Sequence, residues 1–191
     1  MAQLIYLTHP QVQIDPQIPV PDWGLSSVGA ARVAAFVPPR VDHVVTSAER
    51  KAVETAQVLA QHLQLTPEIR PLMHENDRSA TGFLPGPEFE SVADAFFAAP
   101  AQSIRGWERA LDAQARIVAE MSAVMSAHSG DILCVGHGAV GTLLMCHLAG
   151  FEIDRRYDQG PGGGGQIFVY DRAEARLVHR WCAMEDWPRQ K

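Results

Sequence analysis

Two histidines stand where short apolar runs end. Thr8-His9-Pro10 closes the run Gln3 to Leu7, and Gly136-His137-Gly138 closes the run Asp131 to Val135. Both runs read as buried strands. In an open α/β sheet, ligands sit in the crevice beyond the carboxyl ends of the strands. Residues far apart in sequence can therefore meet there. Two imidazoles at such a crevice can divide one reaction: one attacks a phosphoryl group, the other stabilises it.

The elements that must position them alternate between strand and helix. A proline-broken loop (Pro10, Pro16, Pro19, Pro21) runs to about Gly24. Ser26 then reads as the N-cap of a helix with Val28, Ala31, Val33, Ala34 and Val37 on its apolar positions, stopped by Pro38-Pro39. Val41 to Thr46 reads as a second strand. Ser47 is the next N-cap candidate, before a helix over Arg50 to Leu63, and 67–71 holds a short strand. A helix carrying Phe89, Val92, Phe96 and Phe97 lies within a looser stretch, and a long helix runs from about Gly106 to His128. Ala139 to Leu148 is helical. Gln166 to Tyr170 and Ala175 to Trp181 close the chain as strands turning at Asp171-Arg172. This alternation predicts a three-layer α/β/α sandwich with a mostly parallel sheet and an antiparallel edge strand. We expect a single domain over 1–191, with an insertion or lid at about 72–105 covering the cleft.

Composition fits an ordinary soluble globular chain. It has 191 residues, a 47% hydrophobic fraction and 20% charged residues. Sixteen basic against twenty-two acidic residues give a net charge of −6. That argues against a nucleic-acid binder, which would be expected to show a basic face, but not against a small phosphorylated ligand held by local charge. No stretch is long and apolar enough to span a bilayer, and residues 1–7 lack a signal peptide's basic start. Cys134, Cys146 and Cys182 form no Cys-x-x-Cys pair, and Cys134 and Cys146 read as packing residues. A cytoplasmic protein is expected.

Further pieces join the two histidines. Leu25-Ser26-Ser27-Val28-Gly29 opens the first helix, and Ser47-Ala48-Glu49-Arg50-Lys51-Ala52-Val53-Glu54-Thr55-Ala56 joins the second strand to its helix. In this order and spacing, from about Leu4 to Tyr170, the chain resembles the histidine phosphatase superfamily, also called phosphoglycerate-mutase-like. The resemblance implies hydrolysis of a phosphomonoester through a phosphohistidine intermediate, with no metal and no organic cofactor. It assigns His9 as nucleophile and His137 as a donor to the phosphoryl oxygens. Glu75, after Pro71-Leu72-Met73-His74, becomes the acid that protonates the leaving oxygen. Ser47 and Gly138 fall beside the substrate.

The chain also departs from that pattern. Thr8-His9-Pro10 stands in place of Arg-His-Gly, and Lys51 takes the position of the second arginine, with Arg50 one residue out of register. Thr8 offers a hydroxyl but no charge, and Lys51 lacks the planar fork that matches phosphate. Loss of one preorganised donor costs about 2.7–4 kcal/mol of barrier. Arg78 and Arg105, in the expected lid, are candidate replacement cations. Pro10 biases His9 toward an extended backbone and removes an N–H.

Taken singly, these residues also have structural roles: a strand-end histidine, a solvated loop carboxylate at Glu75, a solvent-facing lysine, an N-cap serine. His74 reads as loop structure. Three histidines and Glu75 lack helical i, i+4 ligand spacing, so no metal is expected. Gly160-Pro161-Gly162-Gly163-Gly164-Gly165 precedes a strand, whereas a dinucleotide or Walker-type loop opens a helix; it reads as a flexible connection near the cleft. The expected ligand is a small phosphorylated substrate or inorganic phosphate. The rival readings are a non-catalytic phospholigand binder or regulatory partner, a phosphoglycerate-type mutase, and a phosphohistidine phosphatase. Oligomeric state has no signature in the sequence.

Overall fold

In β1 (Gln3–Thr8), Leu4 and Tyr6 face one way and Ile5 and Leu7 the other, and all four are buried. A strand whose successive side chains are all buried must be covered on both faces. The computed structural model describes residues 2–187; Met1 and residues 188–191, part of the expected 1–191 span, lie outside the described residues. Its six-stranded sheet has the order β3-β2-β4-β1-β5-β6, with β2 at His43–Ser47, β3 at Glu68–Arg70, β4 at Ile132–Gly136, β5 at Gln166–Asp171 and β6 at Arg176–Ala183. The first four strands in that order are parallel. The antiparallel edge is present as expected: β5 runs against β1, and β6 pairs antiparallel with β5 to form the edge.

Two apolar layers enclose this sheet. On one face, Ile5, Leu7, Val44, Leu133 and Val135 pack with α1 (Ser27–Ala35) and α2 (Arg50–Leu63). On the other, Leu4, Tyr6, Ile132, Cys134 and Phe168 pack with α3 (Gly86–Ala98), α4 (Ala110–Ala127) and α5 (Gly138–Ala149). The result is the three-layer sandwich. In α5, Val140 through Cys146 are all buried, as a helix that is apolar all round must be. α3 buries Val92, Ala93, Phe96 and Phe97 against Trp107, so the 72–105 segment is anchored to the core rather than loose.

Two helix starts differ from the sequence reading. Ser26 caps α1 as expected, accepting the Gly29 N–H at 3.1 Å. The cap of α2, however, is Glu49, not Ser47; the Ser47 hydroxyl accepts the Glu49 N–H at 3.2 Å, in a turn before the helix. α4 begins at Ala110, not Gly106, because Arg105 and Gly106 have φ of 53° and 83°, outside the helical range.

Candidate active site

Topology brings the two histidines together. β1 and β4 are parallel neighbours with Thr8 opposite Gly136, so His9 and His137 leave the same end of the sheet side by side. β2 flanks β4 on its other side with Thr46 opposite Val135, and this delivers Ser47 to the same row. The His9 N–H donates to the Gly136 carbonyl at 3.0 Å, and the two imidazole centroids are 5.2 Å apart at an interplanar angle of 69°.

His9 Nδ1 lies 2.8 Å from the Pro10 carbonyl oxygen. A carbonyl only accepts, so Nδ1 carries the proton and the lone pair of a neutral ring is on Nε2. Desolvation, with Lys51 nearby, lowers the His9 pKa to about 4 against the bond to Pro10, which raises it. His9 is therefore neutral near pH 7. Behind it, Gly165 N–H donates to the Thr8 and His9 carbonyls, and a Cβ on Gly164 would lie 2.0 Å from the His9 oxygen. The glycine run is the surface on which the His9 backbone rests.

His137 is completely buried. Its Nε2 is 2.8 Å from Ser47 Oγ and 3.6 Å from Glu49 Oε1. Its Nδ1 has no hydrogen-bond partner. Desolvation pushes its pKa well down, outweighing the attraction of Glu49. The Tyr6 hydroxyl clamps its backbone, accepting the His137 N–H at 3.1 Å and donating to the His137 carbonyl at 3.3 Å. Gly136 permits this, since a Cβ there would lie 2.1 Å from the Tyr6 oxygen.

Glu75 sits over the N-terminus of α5. Its carboxylate accepts the N–H groups of Val140 at 3.0 Å, Asn76 at 3.1 Å and Ala139 at 3.2 Å. Burial raises its pKa, against the lowering effects of Arg78 and the Val140 bond. Arg116 fixes this loop by donating to the carbonyls of Leu72, His74 and Glu75 while paired with Glu108. His74 is loop structure, its Nδ1 bonded to the Glu75 carbonyl at 2.7 Å.

The remaining expected contacts are distributed differently. The Thr8 hydroxyl is occupied by β5, accepting the Gln166 N–H at 2.9 Å, and is buried. It faces a strand, not a ligand. Lys51 is 3% exposed, ion-paired with Glu49 and donating to the Val20 carbonyl at 2.8 Å. Arg50 turns outward onto Glu54. Arg105 pairs with Glu88 at the surface. Arg78 is half-buried, stacks over the Phe89 ring at 5.0 Å and pairs with no carboxylate of the described residues. Gly138 opens α5, and the Gln159 amide lies against it. Among the described residues no group of three or more His, Cys, Asp or Glu side chains could hold a metal ion, and no helix is long and apolar enough to cross a membrane.

Three participants escaped the sequence reading. Tyr6 reads as strand core, and Arg116 is not singled out. Glu49 is given no role within the Ser47 to Ala56 segment. Burial overcome by His137 and Lys51 holds its carboxyl at about 2, so it is ionised beside both histidines.

Comparison with known proteins agrees with this geometry. No curated protein matches the sequence. In fold, the chain is similar to the mycobacterial glucosyl-3-phosphoglycerate phosphatase in complex with inorganic phosphate, at 20% identity over 97% of this chain and 99% of that one, with a TM-score of 0.73. A structure of the same mycobacterial phosphatase with VO3 has the same TM-score at 17% identity, over 96% of this chain and 98% of that one. The alpha-ribazole phosphatase from Shigella flexneri also gives 0.73, at 18% identity over 99% of this chain and 100% of that one. The sequence model of the histidine phosphatase superfamily (branch 1) matches residues 12–181, starting just after the divergent Thr8-His9-Pro10. This chain belongs to the histidine phosphatase superfamily.

Proposed function

We propose that the protein hydrolyses a phosphomonoester through a phosphohistidine on His9. The carrying observation is the Pro10 carbonyl on His9 Nδ1, which leaves Nε2 free to attack phosphorus. The Nε2–P bond forms as the P–O bond to the leaving alcohol breaks. Glu75, with its pKa raised by burial, gives its proton to that oxygen. Water then attacks phosphorus as the Nε2–P bond breaks and its electron pair returns to Nε2, a proton of the water passes to Glu75, and inorganic phosphate is released.

His137 and Lys51 are the groups nearest the transferring oxygens, with Ser47 orienting the His137 ring. Arg78 supplies the cation that Thr8 does not, because no carboxylate of the described residues neutralises it. The chain works as one domain in which the 72–105 segment, holding Glu75 and Arg78, covers the substrate. Phosphate and VO3, in two structures of one fold neighbour, support a phosphoryl-sized ligand here.

A second reading, a phospholigand binder without turnover, has the Glu49–Lys51 pair in its favour, because that pair weakens the anion site. Steady-state hydrolysis of an aryl phosphate by the wild type and by His9→Ala separates the two. Turnover lost in His9→Ala supports the enzyme; tight phosphate binding with no turnover in the wild type supports the binder.

A further inference from the structure

We propose that Glu49 is a resident anion in the phosphoryl subsite, and that the subsite therefore prefers a phosphoryl group carrying one negative charge to one carrying two. This rests on the phosphoryl-transfer reading above and adds the ionic form of substrate which that site takes.

The Glu49 carboxylate occupies the donors that a phosphoryl oxygen would need. Oε2 accepts from the Lys51 ammonium, Oε1 accepts the Glu75 N–H at 2.8 Å, and the same Oε1 is 3.6 Å from His137 Nε2. Glu49 is 8% exposed, so solvent screens this arrangement poorly. Lys51, the one lysine at the site, is neutralised by its neighbour two residues back.

The charges facing Glu49 can be taken element by element. α2 contributes Lys51, the turn after β1 contributes His9, and the turn after β4 contributes His137. The segment after β3 contributes Glu75 and, one step further out, Arg78. Both imidazoles are neutral near pH 7 and Glu75 enters the proposed reaction protonated, so Lys51 cancels Glu49 and Arg78 remains as the uncompensated cation. A phosphoryl monoanion matches that single charge. A dianion brings an extra negative charge against a buried carboxylate, and like charges juxtaposed in a binding site are strongly disfavoured. Because Glu49 stays ionised down to about 2, acidification does not remove it; what changes with pH is the ligand, whose second ionisation lies near 6 for a phosphomonoester.

The test is calorimetric binding of inorganic phosphate at about pH 5.5 and about pH 8, spanning the second ionisation of a phosphoryl group. It uses the wild type, Glu49→Gln and Glu49→Leu, each checked for folding by thermal denaturation. Glu75→Gln is included because protonation of Glu75 also removes negative charge at the lower pH. The expected result is binding about tenfold tighter at the lower pH in the wild type, with that preference persisting in Glu75→Gln. Either Glu49 variant should bind about tenfold tighter than wild type at the higher pH and lose the preference. The wild-type and Glu75→Gln comparison stands even where a Glu49 variant does not fold.

Equal or tighter wild-type binding at the higher pH, or Glu49 variants that bind more weakly, would overturn the inference while a trapped phosphohistidine would leave the hydrolase reading intact. No phosphate binding by any variant together with no phosphohistidine would overturn both.

Discussion

The side chain of His9 is locked to its own chain neighbour: Nδ1 donates to the Pro10 carbonyl 2.8 Å away. The residue that replaces the family's glycine therefore supplies the acceptor that fixes the tautomer. Because burial holds His9 at about 4, its Nε2 lone pair is available at any pH above that value, as the proposed attack on phosphorus requires. The acid limb of kcat/KM should accordingly lie near 4 rather than near the ordinary imidazole value. The alkaline limb belongs to Glu75, which must be protonated and whose pKa is raised above the ordinary carboxylate value. A pH–rate profile with its maximum on the acid side of neutrality is expected. Glu75→Gln should remove the alkaline limb and slow alkyl phosphate hydrolysis about 10²–10⁴-fold. Aryl phosphates, with better leaving groups, should lose much less.

Stability should fall on acidification before any carboxylate in the protein's ordinary range titrates. His9 is lowered from 6.5 to about 4 in the folded protein, and His137 is lowered further. The unfolded chain then binds more protons than the native one below 6.5, so this contribution is fully present above 6.5 and is lost as pH falls toward 4. Glu49, lowered from 4.5 to about 2, adds a second loss below 4.5. Melting temperatures measured between these limits should decline steadily, and the decline should be shallower in His9→Ala. A flat profile across that interval would contradict the buried neutral histidines.

Tyr6 is a positioning residue for His137. Its hydroxyl holds both peptide groups of that residue, and Tyr6→Phe leaves the buried His137 N–H without a partner, while the carbonyl keeps only the Gly141 N–H at 3.1 Å. The expected loss is about 1–3 kcal/mol, or roughly 2–4 °C in Tm per kcal/mol for a chain of this size. A merely structural role would lower Tm alone. Positioning predicts that kcat also falls with KM little changed.

Gly164 supports His9 from behind. Its φ is 83°, and a side chain there would press on the His9 carbonyl. Gly164→Ala should depress kcat strongly while thermal denaturation stays cooperative. Gly160→Ala, where φ is 81° but nothing lies within contact, should strain the loop without reaching His9. Equal kinetic effects from the two substitutions would argue against the support role.

Much of the site was legible because its chemistry sits at strand ends. His9 and His137 each end an apolar run, and parallel pairing of β1 with β4 brings such ends together without further information. The bounds of α2 matched, from Arg50 to Leu63, and Ala56, Leu59 and Ala60 of its apolar positions are buried. Other features depend on long-range contacts that no local pattern encodes. Lys51 has a helix-start lysine's usual solvent-facing pattern, yet it is buried because Glu49 and the Val20 carbonyl receive its ammonium. The Thr8 hydroxyl turned to β5 because Gln166 presents an N–H there, a partner 158 residues away. The start of α4 slipped by a turn because positive φ at Arg105 and Gly106 is a backbone fact that the apolar spacing does not carry.

The proposed hydrolysis requires that His9 carry the phosphoryl group. Rapid acid-free quench of the protein with an aryl phosphate, followed by peptide mass spectrometry and phosphorus NMR, reads this directly. A phosphoryl group on His9, bonded through Nε2 and absent in His9→Ala, is the expected result. Turnover that persists with His9 unmodified, or a phosphoryl group found on another residue, would contradict it.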